Sequence, residues 1–396
     1  MRCKAQSTRS APKFQRVMKI ALRAASVLYL SLVGSQIAAA QTYNVLHYFH
    51  ATDGRKPLSS LISDSSGYLY GTTSGGGDFA WGTVYKVNIA TGRLTVLHSF
   101  DNSSGDGTTP ESELLRDRAG NLYGTTSEGG AHGFGTIFKL DRQRIETVLY
   151  SFNGDPDGGR PTSGLILDQA GNLYGTTGQG GVHGNGTVFK LDTSGAETIL
   201  HSFSGADGDF PNGTLLSNGG YLYGVTNAGG AFGHGTIFRL NMTTGKGTLL
   251  HHFSYTDGAA PYAGLVRDGH GDLYGTTSSG GTNGRGTVFK LDSSGKLTTL
   301  YNFKGASADD GEDPLAPVIL DAAGNIYGTT WIGGADPSGN GTVFKLDTAG
   351  TETILHSFTE SDGDNPHSGL YMDSAGVLYG TLADSISPGL IYTITP

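Results

Sequence analysis

The sequence predicts an all-β fold, a seven-bladed β-propeller of four-stranded antiparallel blades, from three observations. A unit of about 51 residues recurs seven times along the 396-residue chain. Each unit holds four short runs rich in Leu, Val, Ile, Tyr, Phe and Thr, and 65 glycines with 13 prolines break these runs apart. Average glycine usage is about 7 %, and each glycine inside a helix costs roughly 1 kcal/mol relative to alanine, so this composition excludes a helical bundle or coiled coil. The 36 % of hydrophobic and 10 % of aromatic residues supply a core, which sets the chain apart from low-complexity sequences.

Four landmarks define the unit. Leu/Ile-Tyr-Gly places its tyrosine at Tyr70, Tyr123, Tyr174, Tyr223, Tyr274, Tyr327 and Tyr379. Asp-Gly with a proline four residues after the Asp begins at Asp53, Asp106, Asp157, Asp207, Asp257, Asp310 and Asp362. Gly-Thr-Val/Ile-Phe/Tyr-Lys/Arg starts at Gly82, Gly135, Gly186, Gly235, Gly286 and Gly341, and is degraded at Gly389. A run typified by Leu-His-Ser-Phe ends at Phe49, Phe100, Phe152, Phe203, Phe253, Phe303 and Phe358.

In the third copy the expected strands are Ser163 to Asp168 (a), Asn172 to Thr177 (b), Gly186 to Asp192 (c) and Glu197 to Phe203 (d). Asp168 to Gly171 makes a tight a-to-b turn. The fourth copy loses one residue there, leaving Asn218-Gly219, a favoured two-residue hairpin turn, so strands a and b are antiparallel neighbours. Four such strands at a period near 50 fit a propeller blade. An open β-solenoid is the rival, but its rungs are usually much shorter and it needs capping ends. The chain opens on a d-type strand, Tyr43 to Phe49, and closes on a, b and c strands near Ile394, so pairing the two ends would complete blade seven and leave no open edge.

Residues 1–40 precede the repeats. They carry Arg2, Lys4, Arg9, Lys13, Arg16, Lys19 and Arg23 with no acid, then an apolar run from Ala24 to Val33 and the small residues Ala38-Ala39-Ala40. This is the pattern of a secretory signal peptide, with translation starting at Met1 or Met18, and the apolar run is too short to span a bilayer. Residues 41–396 are then expected to form one seven-bladed domain, secreted to the periplasm or the exterior and monomeric. That part has 19 basic against 35 acidic residues, a balance that disfavours nucleic acid and anionic membranes as partners. The one cysteine, Cys3, lies in the leader, so no disulfide supports the fold.

The unit spelled out from Asp168 to Phe203 resembles the GloVer-type (choice-of-anchor) tandem repeat of secreted bacterial proteins, over about Tyr43 to Pro396. The resemblance implies an exported repeat protein and brings no catalytic residues with it. Members of that family often carry a separate C-terminal anchor; here Ile394-Thr395-Pro396 directly follows a strand, and attachment by that route is not expected. A looser similarity to NHL-type and Asp-box propellers through Asp-x-x-Gly-x-Leu-Tyr bears on fold only.

Alternation of strand direction sends the d-to-a and b-to-c connections to one face and the short a-to-b and c-to-d turns to the other. The first face carries the long loops, Asn153 to Thr162 and Gly178 to Asn185 in copy three, and is the expected site. Ligand-binding candidates are residues there that depart from the repeat: Trp81, Phe134, His183, His234, Arg285 and Trp331. Tryptophan and similar side chains offer a flat apolar surface with a polar edge, suited to sugar or peptide. Glu128 and Asp336 are the available acid and base for glycan cleavage.

His47, His98, His201, His251 and His356 share one repeat position with Tyr150 and Tyr301, as packing residues do. His132, His183 and His234 lie instead in the b-to-c loops, where a solvent-exposed binding rim is expected rather than a metal site. No metal or other cofactor is expected. If calcium binds, its places are the acid clusters at Asp207 and Asp209, at Asp310, and at Asp362 and Asp364; but Asp before Gly commonly bonds its own turn, and calcium wants six to eight oxygens. The Gly-Gly-x-x-Gly-x-Gly loops precede strands rather than helices and so lack the anion-binding geometry of nucleotide fingerprints. The expected function is a non-catalytic binding or interaction module for carbohydrate or protein. The alternatives are an extracellular glycan lyase, hydrolase or lactonase-like enzyme with a central-channel site, and a structural surface component.

Overall fold

Seven four-stranded antiparallel sheets, one per repeat, make up a β-propeller. The architecture is taken from a computed structural model that describes Met1 and residues 41–103, 105–336, 338–383 and 388–396. Thr42–Pro396 form one compact unit; the leader read at residues 1–40 lies, Met1 aside, outside the described residues. Among the described residues the sole helical element is the 3-10 turn Ala306–Ala308, and no helix is long and apolar enough to cross a membrane.

In blade three the strands are Ile166–Leu167, Leu173–Thr177, Thr187–Leu191 and Glu197–Ser202. The innermost is much shorter than the sequence suggests. At its start the Ser163 hydroxyl accepts the Thr176 N–H at 3.2 Å. Ser59, Ser112 and Ser368 do the same for Thr72, Thr125 and Thr381. Blades four, five and six have Gly213, Ala263 and Ala316 at this position; the inner strand runs Asp209–Asn218 in blade four, with a register shift between Asn212 and Leu216, and is two residues long in the other two. Asn218 pairs with Tyr221 across its hairpin, so the central turn residues are Gly219 and Gly220, one step beyond the expected Asn218-Gly219. Both have positive φ, as a type I′ turn requires.

Each blade is apolar on both faces because each packs against two neighbours. The core is accordingly divided into seven clusters, one at each junction. At every junction the phenylalanine ending an outer strand meets an aromatic ring of the next blade edge-on, with centroids 5.1–5.3 Å apart, Phe203 on Phe238 being typical. That ring dictates the glycine of Leu-Tyr-Gly. A Cβ on Gly175 would stand 2.7 Å from Phe189 Cζ, so the residue makes room for packing rather than a turn.

The ring closes as expected. Thr42–Tyr48 pairs antiparallel with Leu390–Thr395 and completes the sheet containing Tyr371–Met372 and Leu378–Leu382. Phe49 carries the seventh junction onto Tyr85, and the Thr381 hydroxyl donates to the Pro57 carbonyl at 2.7 Å across the same seam.

Candidate functional site

The two long loops of each blade are laced to each other and to the next blade. Gly107–Thr108 pairs with Glu128–Gly129 and Gly311–Glu312 with Ile332–Gly333, while single bridges such as Gly159 to Gln179 serve other blades. Just before each landmark proline a non-glycine residue adopts φ between 52° and 58°: Lys56, Thr109, Arg160, Phe210, Ala260, Asp313 and Asn365. This turn aims its N–H at a carbonyl of the preceding blade. Thr109 donates to Trp81 at 3.1 Å, Arg160 to Phe134 at 3.0 Å, Ala260 to His234 at 2.9 Å and Asp313 to Arg285 at 3.2 Å.

The rim residues therefore have a backbone task that leaves their side chains free to differ. Trp81 and Phe134 are each 42 % exposed and Trp331 38 %. Phe134 covers Gly154 and Gly159 of the following loop. His234 lies 5.3 Å from the Tyr255 ring, Arg285 donates to Glu312 at 2.5 Å, and His183 is exposed beside Val182. These six candidates stand on six successive blades, so they mark an arc of the rim and do not converge on one point. Phe79, Phe232 and Tyr255 are further exposed aromatics on the same face, missed because no repeat position singles them out.

The acid and base suggested by sequence are not a pair. Glu128 sits on blade two, and the Asp336 carboxylate, on blade six, is bonded to Ser338, whose hydrogen bonds hold it below the usual carboxylate range. The calcium candidates are occupied by their own loops. Asp207 accepts from Ser204 N at 2.8 Å and pairs with His201 at 2.8 Å; Asp310 accepts from Tyr301, Lys304 and Gly311; Asp362 pairs with His356 and accepts from Thr359. The repeated histidines and tyrosines are thus the partners of the repeated aspartates. Asp209 is built into the inner strand of blade four, and Asp364 shares the Asp362 loop. Among the described residues no group of three or more His, Cys, Asp or Glu side chains is gathered for a metal.

A second asymmetric set lies inside the ring, where all seven blades line a cavity of about 380 Å³. The residue after each landmark proline faces it, and there the repeats read Leu58, Glu111, Thr162, Asn212, Tyr262, Leu315 and His367. Sequence reasoning passed over this position, although its divergence was visible. Two residues further on, Glu113 receives a long hydrogen bond of 3.5 Å from the Thr214 hydroxyl. Glu113, Gly164 and Thr214 also line a second cavity of about 330 Å³, so Glu113 stands between the two. Gly164 is needed at this approach, since a Cβ there would meet Thr214 Oγ1 at 2.4 Å.

Burial sets the ionisation here. It pushes Glu113 upward against the Thr214 hydrogen bond, and pushes Glu111 upward against the charges of Arg160 and Lys56. It also lowers His367, whose ring meets Tyr262 edge-on at 6.2 Å, favouring the neutral imidazole. Thr162 donates to Asn212 Oδ1 at 3.1 Å, and Asn212 Nδ2 is buried without a partner.

The model of a family described as the Gloeobacter/Verrucomicrobia repeat matches residues 34–235 and 210–396. No curated protein matches the chain. Among solved structures, an oligogalacturonate lyase in complex with manganese is similar with a TM-score of 0.59 at 12 % identity, covering 90 % of this chain and 94 % of that one. The oligogalacturonate lyase of Vibrio parahaemolyticus gives 0.56 at 11 %, covering 90 % and 97 %. The extracellular domain of BT4673 from B. thetaiotaomicron gives 0.58 at 11 %, covering 89 % of this chain and 40 % of that one. Identities this low speak for the fold alone.

Proposed function

The chain belongs to the Gloeobacter/Verrucomicrobia repeat family, and from the side chains on its long-loop face we propose that it is an exported, non-catalytic binding module for carbohydrate or protein, acting as a monomer. One observation carries the reading. Phe79, Trp81, Phe134, Phe232, Tyr255 and Trp331, all exposed, lie on loops of the long-loop face, spread around its rim. Exposed apolar surface grouped on one side of a soluble fold is a mark of recognition. Aromatic rings supply large contact area at low entropic cost, with a polar edge on Trp and Tyr for orientation. Laced loops hold these rings in place before a ligand arrives, which lowers the ordering cost of binding.

Export rests on the basic and apolar leader within residues 1–40, and the acidic balance of the remainder argues against nucleic acid as the ligand. The BT4673 neighbour is an extracellular domain, which is compatible with this placement. A glycan array and an extracellular-protein pull-down with residues 41–396 test the proposal. Binding reduced about tenfold or more by Trp81→Ala or Trp331→Ala is expected, since removing one interface aromatic commonly costs over 1 kcal/mol. Turnover of a bound glycan, or binding indifferent to both substitutions, would overturn it.

A further inference from the structure

We propose that Tyr255 and His234 form a subsite for one neutral pyranose ring of a glycan, an inference that rests on the binding face proposed above and commits its ligand to carbohydrate. The position two residues after each strand-ending phenylalanine has positive φ in five blades, at Asn102, Gly154, Gly205, Tyr255 and Gly305. Glycine takes this conformation freely and asparagine tolerates it, whereas a bulky side chain is an outlier there. Ala51 and Glu360 stand at the same position in the other two blades, so sequence does not single out the tyrosine; its φ of 71° does. Hydrogen bonds pin the backbone. The Tyr255 N–H donates to Gly258 at 3.1 Å, and its carbonyl accepts from Gly258 at 3.3 Å and from Gly281 at 2.7 Å. A strained residue held by its surroundings in this way points to a use outside the scaffold.

At three other junctions the rim residue of the preceding blade lies over a glycine at this position. A Cβ would come 3.0 Å from Phe134 at Gly154, 3.4 Å from Asn185 at Gly205 and 3.5 Å from Arg285 at Gly305. In blade five a ring stands there instead. Tyr255 is 45 % exposed and lies 5.3 Å from the His234 ring, with the planes 55° apart. Its hydroxyl reaches Gly284, where a Cβ would come within 3.3 Å of it, so the side chain spans from the b-to-c loop of blade four to that of its own blade. Among the described residues neither the His234 ring nitrogens nor the Tyr255 hydroxyl has a hydrogen-bond partner, whereas His47, His201, His251 and His356 are each bound to an aspartate. The charges next to the pair in sequence are already matched, Asp257 by His251 and Ser254, and Arg285 by Glu312, so an ionic ligand finds no open counter-charge in them. A pyranose suits what remains: its C–H face lies on the tyrosine ring, and its hydroxyls, which donate and accept, bond the phenol and the imidazole at the edge. Two rings offer far less than the roughly 800 Å² that a protein partner covers on each side, so the subsite is of sugar size.

Calorimetry and ligand-observed NMR on residues 41–396 test the subsite with cellotetraose and β-1,4-galactotetraose as neutral probes and tetragalacturonate as the anion. Saturable binding of at least one neutral probe is expected, weakened about tenfold or more by Tyr255→Asn, which keeps a residue at home at positive φ and removes the ring. The same variant should melt at or above the temperature of the parent, because the strain is relieved. Binding lost without stability lost is the mark of a side chain held for a ligand, and a packing residue would lose both. Tyr255→Gly, the residue of three other blades, decides the matter if Tyr255→Asn does not fold. The proposal is overturned if neither neutral probe binds, if tetragalacturonate binds more tightly, if Tyr255→Asn keeps the affinity, or if it lowers the melting temperature by more than about 3 °C. Trp81→Ala and Trp331→Ala keep this inference apart from the wider reading. Binding lost in them and kept in Tyr255→Asn removes the subsite and leaves the rim module, and the reverse pattern leaves the subsite and removes the tryptophans.

Discussion

Ring closure makes a quantitative prediction at Phe49. This side chain is 3 % exposed and meets Tyr85 edge-on at 5.1 Å. Phe203, at an internal junction, is 1 % exposed and meets Phe238 in the same way at 5.1 Å. Truncating a buried phenylalanine to alanine costs about 3–5 kcal/mol. In a closed ring both positions are equally enclosed, so Phe49→Ala and Phe203→Ala should each lose about 4 kcal/mol by that rule. In an open array Phe49 would belong to a free terminal strand, and its truncation would cost roughly 1 kcal/mol or less, as at other loosely held surface sites. Urea unfolding followed by far-ultraviolet circular dichroism measures both variants, and matching m-values license the comparison. A loss of at least 3 kcal/mol at Phe203 beside less than 1 kcal/mol at Phe49 would refute closure. Deleting residues 42–49 is the harsher companion, because it also leaves the Leu390–Thr395 strand with an unpaired edge.

Tyr85 stands where five blades have Phe138, Phe189, Phe238, Phe289 and Phe344, and its hydroxyl is buried without a partner; Tyr85→Phe should therefore stabilise by about 1 kcal/mol, read as a higher melting temperature. A lower melting temperature would mean that the hydroxyl has an unrecognised partner. Glu146, Glu197 and Glu352 open the outer strands of three blades; burial, then the nearby carboxylates of Asp106, Asp157 and Asp310 respectively, pushes each up to about 7. Their folded-state values exceed the ordinary 4.5, so the folded protein holds more protons and stability falls as pH rises from about 4.5 through about 7. After screening of these partly exposed groups the loss is roughly 1 kcal/mol apiece. Glu352→Gln should accordingly raise the melting temperature at pH 8 relative to the parent and change it little at pH 4, and an equal effect at both pH values would contradict the assignment.

The architecture was legible because each landmark has a physical duty repeated at every junction. The terminal phenylalanine fills the gap between blades, the Leu-Tyr-Gly glycine admits the neighbouring ring, and the Asp-Gly aspartate binds the outer histidine or tyrosine. The extent of the inner strand was not legible, since it is two residues long whether Ser163, Ala263 or Ala316 stands before it. The rim candidates lie on long loops, as the alternation of strand direction predicts. Their spread over six successive repeats was legible as well; the distances were not, because a repeat position says which blade a residue occupies and nothing of how far apart blades hold it.

Two rings of variable residues surround the channel, and they carry different weight. At Trp81, Phe134, His234 and Arg285 the backbone carbonyl receives the next blade's N–H, a duty that does not depend on the side chain. Variation there is expected with or without a ligand, and only the exposure of aromatic rings gives it meaning. The residues after the landmark prolines are enclosed by all seven blades, where an apolar filling such as Leu58 and Leu315 would serve the scaffold without cost. Acids, an amide and an imidazole at that depth work against the scaffold unless something meets their hydrogen bonds, and buried polarity is the informative departure from ordinary packing.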